Sequence, residues 1–141
     1  MVKIDWIIEL VGNGIRCEHC GTIENPFPQY ICNAHTHGME NYGHPDFQLV
    51  IHMPQEDMKY ILNTFGLRVQ AGERFKAGDL VEGIFLDCSV RLDEAWESGR
   101  KVLRVVIPDG KNRFPEDAGC VYPYSFQLLA TDELEHNTIC N

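Results

Sequence analysis

One long stretch of this chain carries an unambiguous helical period. After Pro54, the residues Met58, Ile61, Leu62, Phe65 and Val69 recur at three and four positions, which gathers them on one face of an amphipathic helix that must pack against something. Pro54 suits a helix start, where its missing N–H has no partner to lose. Glu56 and Asp57 then fall in the first turn, where they offset the exposed amide dipoles. Gly66 weakens the element by about 1 kcal/mol relative to alanine, and Gly72 lies beyond its end. The pattern predicts one main helix near residues 55–70.

The remaining apolar runs are short and punctuated by Gly and Pro. Residues 4–11 alternate as a strand would, yet also fit a helical face. Residues 29–33 and 47–53 read as strands, with AHTHGMENYGHP between them as a loop. Further strands are expected at 80–86, 101–107 and 124–130, while 93–98 (DEAWES) reads as one or two helical turns closed by Gly99. One helix among short strands predicts a single α+β domain over 1–141. Its sheet is expected to be mostly antiparallel and able to curl toward a barrel, with a frayed tail at 132–141.

Composition narrows the function. At 141 residues and 44% hydrophobic content the chain can bury a core without covalent staples. A formal charge of -9 without a basic block argues against a nucleic-acid partner and suits a protein or small-molecule partner. No apolar window reaches the length of a membrane span. Asp5 and Glu9 interrupt the N-terminal apolar stretch, where a signal peptide needs an unbroken one. Cytoplasmic residence and reduced thiols are therefore expected. Self-association into a homo-oligomer is compatible with the apolar strand faces.

Six cysteines and six histidines occur, and Cys17, His19, Cys20, Cys32, His35, His37 and His44 crowd into residues 17–44. Cys17-x2-Cys20 and Cys32-x2-His35 form two knuckles that could close a tetrahedral Zn2+ site, tying the Cys/His-rich region 17–37 together. Cys32 could instead be a buried strand residue, and Cys17 with Cys20 a redox pair. His35-x-His37 points two imidazoles the same way on an extended segment. A metal-dependent hydrolase would use His35, His37 and His44 around an open ion, with Glu40 or Asp46 as proton acceptor. A third possibility is a metal-free anion site in which Arg74 and Arg113 converge with His44. Each of those two arginines is also explained as part of a structural turn.

The segment YICNAHTHGMENYGHPDFQLVIHMP, the run LRVQAGERFKAGD and the later VVIPDGKNRFPEDAG resemble the bacterial family called domain of unknown function 4262. The resemblance spans roughly residues 28–120 and rests on the Gly-His-Pro-acid step at 43–46, AGERF at 71–75 and DGKNRFP at 109–115. It places His44, Pro45 and Asp46 on the family's His-Pro-acid step, where members usually carry Glu in place of Asp46. It implies one bacterial cytoplasmic domain and supplies no established activity, substrate or cofactor. The resulting expectation is a small binding or regulatory domain with a structural zinc site formed by Cys17, Cys20, Cys32 and His35.

Overall fold

The computed structural model describes residues 4–12 and 30–136. Six strands occur among them: β1 (Ile7–Gly12), β2 (Ile31–His37), β3 (Asp46–Ile51), β4 (Leu80–Val81), β5 (Val90–Glu97) and β6 (Arg100–Val106). They form one sheet in the order β1-β2-β3-β6-β5-β4. β3 and β6 run parallel, and the other pairings are antiparallel. The α+β sheet is thus mixed and open, which corrects the expectation of a barrel. Its edges are β1 and a β4 of only two residues, too short to meet β1 and close the sheet. The parallel pair arises because the chain leaves β3 through a helix and reaches β6 only after β4 and β5.

That helix is α1 (Gln55–Gln70). Met58, Ile61, Leu62, Phe65 and Val69 pack from it onto Cys32, Ala34, Phe47, Leu49, Leu92, Leu103 and Val105 of the sheet. Each of these strand residues alternates with one facing away, as the pleat requires. Gly66 is where the indole of Trp6 crosses the helix: a Cβ there would lie 2.5 Å from the ring. The Trp6 Nε1–H donates to Asn63 Oδ1 at 2.8 Å. The chain entering edge strand β1 is anchored to α1 by this contact.

The C-terminal segment covers the opposite face. Leu134 of α2 (Thr131–His136) is fully buried against Ile31 and Val50, with Tyr122, Phe126 and Leu129 around them. Residues 124–130 do not form the expected strand, since a 3-10 turn occupies Tyr124–Phe126. The buried Gln127 amide replaces strand pairing by accepting from the Ile107 N–H at 2.8 Å and donating to its carbonyl at 2.6 Å. The tail expected to fray is helical through His136, and 137–141 lie outside the described residues.

Residues 93–98 belong to strand β5 rather than to helical turns. Ser98 and Gly99 both have positive φ, 50° and 80°, the backbone of a two-residue hairpin turn whose twist matches its strands. The acids of β5 find cations on the same sheet: Arg91 Nε donates to Asp93 at 2.8 Å, and Arg100 Nε to Glu97 at 3.2 Å.

Candidate metal centre

On the face away from α1, one row of polar side chains crosses the sheet. The registers set Glu9 opposite His35, His35 opposite Gln48, Gln48 beside Arg104 and Arg104 opposite Asp93. Arg104 can only donate. Its Nε–H donates to Gln48 Oε1 at 2.8 Å, so the Gln48 Nε2 group must be the donor toward Asn33 Oδ1, at 2.9 Å. Asn33 therefore presents an oxygen to His35 Nδ1, 3.1 Å away. That nitrogen carries the proton and donates, so in the neutral ring it is Nε2 that bears the lone pair and faces whatever lies beyond.

What lies beyond is anionic. His35 Nε2 is 3.5 Å from Glu9 Oε2 and 3.7 Å from Glu97 Oε1. His37 Nε2 is 3.5 Å from the other Glu9 oxygen. Ligand atoms of Glu9, His35 and His37 all lie within 4.8 Å of one another. The two imidazoles meet edge to face, their centroids 4.9 Å apart. His35 is buried, while His37 is partly and Glu9 largely open to solvent. Burial lowers the pKa of His35, and the His37 and Arg100 charges add to this against the opposing pull of Glu97 and Glu9. Burial pushes the Glu97 carboxyl up, but the Ser98 hydroxyl, His35 and Arg100 outweigh it and leave the pKa below its usual value. The Glu97 carboxyl beside His35 is thus held in its charged form, and a cation suits an imidazole nitrogen with carboxylates next to it.

The 3.5 Å contacts of the two imidazoles with Glu9 lie near the edge of a tetrahedral site, and the 3.7 Å contact with Glu97 lies just beyond it. The ligand atoms of Glu9, His35 and His37 would draw in from within 4.8 Å. Neighbouring ligand atoms at 2.0–2.2 Å from a tetrahedral ion stand about 3.3–3.6 Å apart, whereas an octahedral ion with bonds near 2.1 Å brings them to about 3.0 Å. The observed 3.5 to 3.7 Å is also longer than an N–H···O hydrogen bond. Asn33 meanwhile serves His35 as the outer hydrogen-bond partner that metal-binding histidines commonly have.

The residues expected from sequence are distributed differently. Cys17 and Cys20 lie outside the described residues. Cys32 faces α1, and its thiol donates to the Leu49 carbonyl at 3.7 Å. Burial pushes that thiol up to about 12, so it is no thiolate at neutral pH. His35 faces the other side of β2, so one ion cannot take both members of the Cys32-x2-His35 knuckle. His44 is on the helix side, stacked on Phe47 at 5.3 Å. Its Nδ1–H donates to the Pro45 carbonyl at 2.8 Å, and its Nε2 accepts from the Phe75 N–H at 3.0 Å. Neither nitrogen is left to join His35 and His37, so the three-histidine set for a hydrolase does not assemble. Asp46 accepts from the Thr36 hydroxyl at 2.7 Å, the Met39 N–H at 3.1 Å and Arg100 at 2.5 Å. Glu40 is exposed on the 3-10 turn Met39–Tyr42.

The two arginines proposed for an anion do not meet in one cleft. Arg74 donates to the Val69 and Glu73 carbonyls and lines a surface cavity shared with Arg68, Asp79 and Glu82. Arg113 pairs with Asp109 at 2.9 Å in the loop after β6.

No family model, curated protein or solved structure matches the chain. No helix among the described residues is long and apolar enough to cross a membrane. Sequence reasoning names His35-x-His37 as a chelating pair but misses Glu9 and Glu97. A signal for Glu9 exists: Ile4, Trp6, Ile8 and Leu10 alternate, which sends Glu9 to the opposite face of a strand.

Proposed function

We propose that the protein is a small metal-binding domain whose ion is held by Glu9, His35 and His37, and that the ion is zinc. The observation that carries this reading is the Nε2 atom of buried His35. The Arg104–Gln48–Asn33 chain fixes its tautomer, and it faces carboxylates at 3.5 and 3.7 Å, too far for hydrogen bonds. Zinc is favoured by the mixed imidazole and carboxylate donors and by separations close to a tetrahedral edge. Fe2+ and Mn2+ accept similar donors and are the competitors. An acidic surface, at a net charge of -9, suits a protein or small-molecule partner. Membership of the domain of unknown function 4262 family is part of the proposal, carried by the 43–46, 71–75 and 109–115 segments.

Calorimetric titration of chelator-treated protein with Zn2+ tests the reading. One ion per chain is expected. Glu9→Gln and His37→Ala, both at accessible positions, should weaken binding by more than the about 10–100-fold that follows loss of an outer partner. Cys17→Ser and Cys20→Ser should leave the affinity unchanged. Wild-type affinity in the Glu9 and His37 variants, with loss in the cysteine variants, would move the ion to the N-terminal thiols.

A further inference from the structure

The three residues Glu9, His35 and His37 lie on β1 and β2, but a fourth group approaches the same imidazole from far along the sheet. β5 is separated from β2 by β3 and β6, so no side chain in the middle of β5 can reach the centre. The turn of the β5–β6 hairpin reaches the His35 imidazole, beside the cluster of Glu9, His35 and His37. β6 first pairs with β3 at Val102 opposite Asp46, the first residue of β3, so residues 97–100 extend past the start of β3 toward the end of β2. Arg100 pins the turn there by donating to Asp46 Oδ2 at 2.5 Å and to the Thr36 carbonyl at 2.9 Å. Glu97 then comes to rest, only 6% exposed, with Oε1 3.7 Å from His35 Nε2. The Ser98 hydroxyl donates to its other oxygen at 2.8 Å, which fixes the direction of the carboxylate.

The local charges point the same way. Around this end of the sheet, Arg100 supplies one positive charge against the carboxylates of Glu9, Asp46 and Glu97. The carboxylates outnumber the guanidinium at this end of the sheet, which suits a metal ion. Arg100 serves both buried acids at once, Glu97 through Nε and Asp46 through Nη1, so one guanidinium stands against two buried carboxylates.

We propose that Glu97 is the fourth protein ligand of the ion held by Glu9, His35 and His37, so that metal binding fastens the β5–β6 turn to the open edge of the sheet. This rests on the reading of Glu9, His35 and His37 as ligands. It makes the centre a closed site of two imidazoles and two carboxylates, which is a structural rather than a catalytic arrangement. Metal occupancy would then be coupled to the order of two segments that no backbone pairing joins, β1 and the 97–100 turn.

The test is amide hydrogen exchange on the whole, chelator-treated chain with and without Zn2+, together with zinc affinity for the wild type, Glu97→Gln, Glu97→Asp and Glu9→Gln. In the wild type, zinc should slow exchange both at residues 7–12 and at 97–101. Glu97→Gln should bind zinc about tenfold or more weakly and confine any protection to β1 and β2. Glu97→Asp, shorter by one methylene, should fall between them. Zinc protection of wild-type β1 without protection of 97–101, or wild-type affinity in folded Glu97→Gln, would overturn the fourth ligand while leaving the three-residue centre intact. Unchanged affinity in Glu9→Gln would instead remove the centre itself, and this inference with it. The wild-type exchange pattern decides the matter even if both Glu97 variants fail to fold.

Discussion

Arg104 has no acceptor atom, and that restriction propagates through two amides to set the proton on His35. Asn33 is the last relay in the chain, since its oxygen receives both Gln48 Nε2 and His35 Nδ1. Asn33→Leu should therefore lower zinc affinity by about 10–100-fold while every metal-contacting side chain stays in place. Calorimetry at a temperature well below the variant's Tm checks this. Cys32 supplies a second residue-scale prediction. Its thiol is buried and pushed up to about 12, so alkylation at neutral pH, mapped by mass spectrometry, should label Cys32 only after unfolding. Rapid labelling of native Cys32 would place it in a reactive environment that the packing of β2 on α1 does not provide. A third concerns Asp109. Burial pushes its carboxyl up, but the amides of Arg113 and Lys111, the Arg113 side chain and the Val121 amide pull it down to about 2. The unfolded carboxyl titrates near 3.9, so the native state binds fewer protons than the unfolded one between these values. The stabilisation of the 109–121 loop is complete above about pH 4 and lost as pH falls toward 2. Unfolding midpoints across that range should carry this slope in the wild type and lose it in Asp109→Asn.

Among the elements, α1 is the one most legible in the sequence, because its apolar residues follow one period and pack on one side. Gly66 marks what periodicity leaves out. Read alone it is a weak point in a helix; in the fold it is the gap through which Trp6 fastens the approach to β1. Gly66→Ala gains about 1 kcal/mol of helix propensity. It also drives a methyl against the indole, where overpacking costs typically about 1–3 kcal/mol, and ring and helix backbone cannot both stay in place. We expect a net loss of stability in urea titrations, with Trp6 fluorescence shifted toward that of exposed indole. β5 escaped the sequence reading for a different reason. Asp93, Glu94 and Glu97 suggest a solvated helical turn until the opposing strand is known, since their cations, Arg91, Lys101 and Arg100, stand on the sheet itself. The Ser98–Gly99 pair beside the KVLRVVI run is the local sign of a hairpin that could have been read. His44 shows the converse. Its place in a recognisable Gly-His-Pro-acid step suggests chemistry, but it joins the 43–46 step to the 71–75 segment through the Phe75 amide. That resemblance therefore rests on residues that build turns.

At the scale of the whole molecule, two layers cover the two faces of an open sheet, and one buried cation holds the second layer on. Arg104 donates to Gln48, to the carbonyls of Gln127 and Leu129, and to the Thr131 hydroxyl. Burial pulls its pKa down to about 10, which still leaves it charged at neutral pH. Arg104→Met would take this donor from Gln48 Oε1 and from the Gln127 and Leu129 carbonyls, while Thr131 keeps Gln48 Nε2 and the Trp96 carbonyl. At roughly 1–3 kcal/mol for each buried group left unsatisfied, the loss should exceed that of most single substitutions. Hydrogen exchange should localise the opening to residues 124–134, uncovering Ile31 and Val50. The polar row from Glu9 to Asp93 also belongs to this scale. No spacing in the chain announces it, because its members sit on five strands that only the sheet register aligns. The crowded cysteines and histidines are visible in the sequence, yet the pleat of β2 divides Cys32 from His35, and the acids that complete the cluster come from elsewhere. X-ray absorption at the zinc edge of stoichiometrically loaded, full-length protein tests this most directly. A first shell of nitrogen and oxygen alone at about 2.0–2.1 Å, with imidazole outer-shell scattering, is the predicted result. Sulfur scattering at about 2.3 Å would place the ion on the cysteines and contradict a centre made of Glu9, His35 and His37.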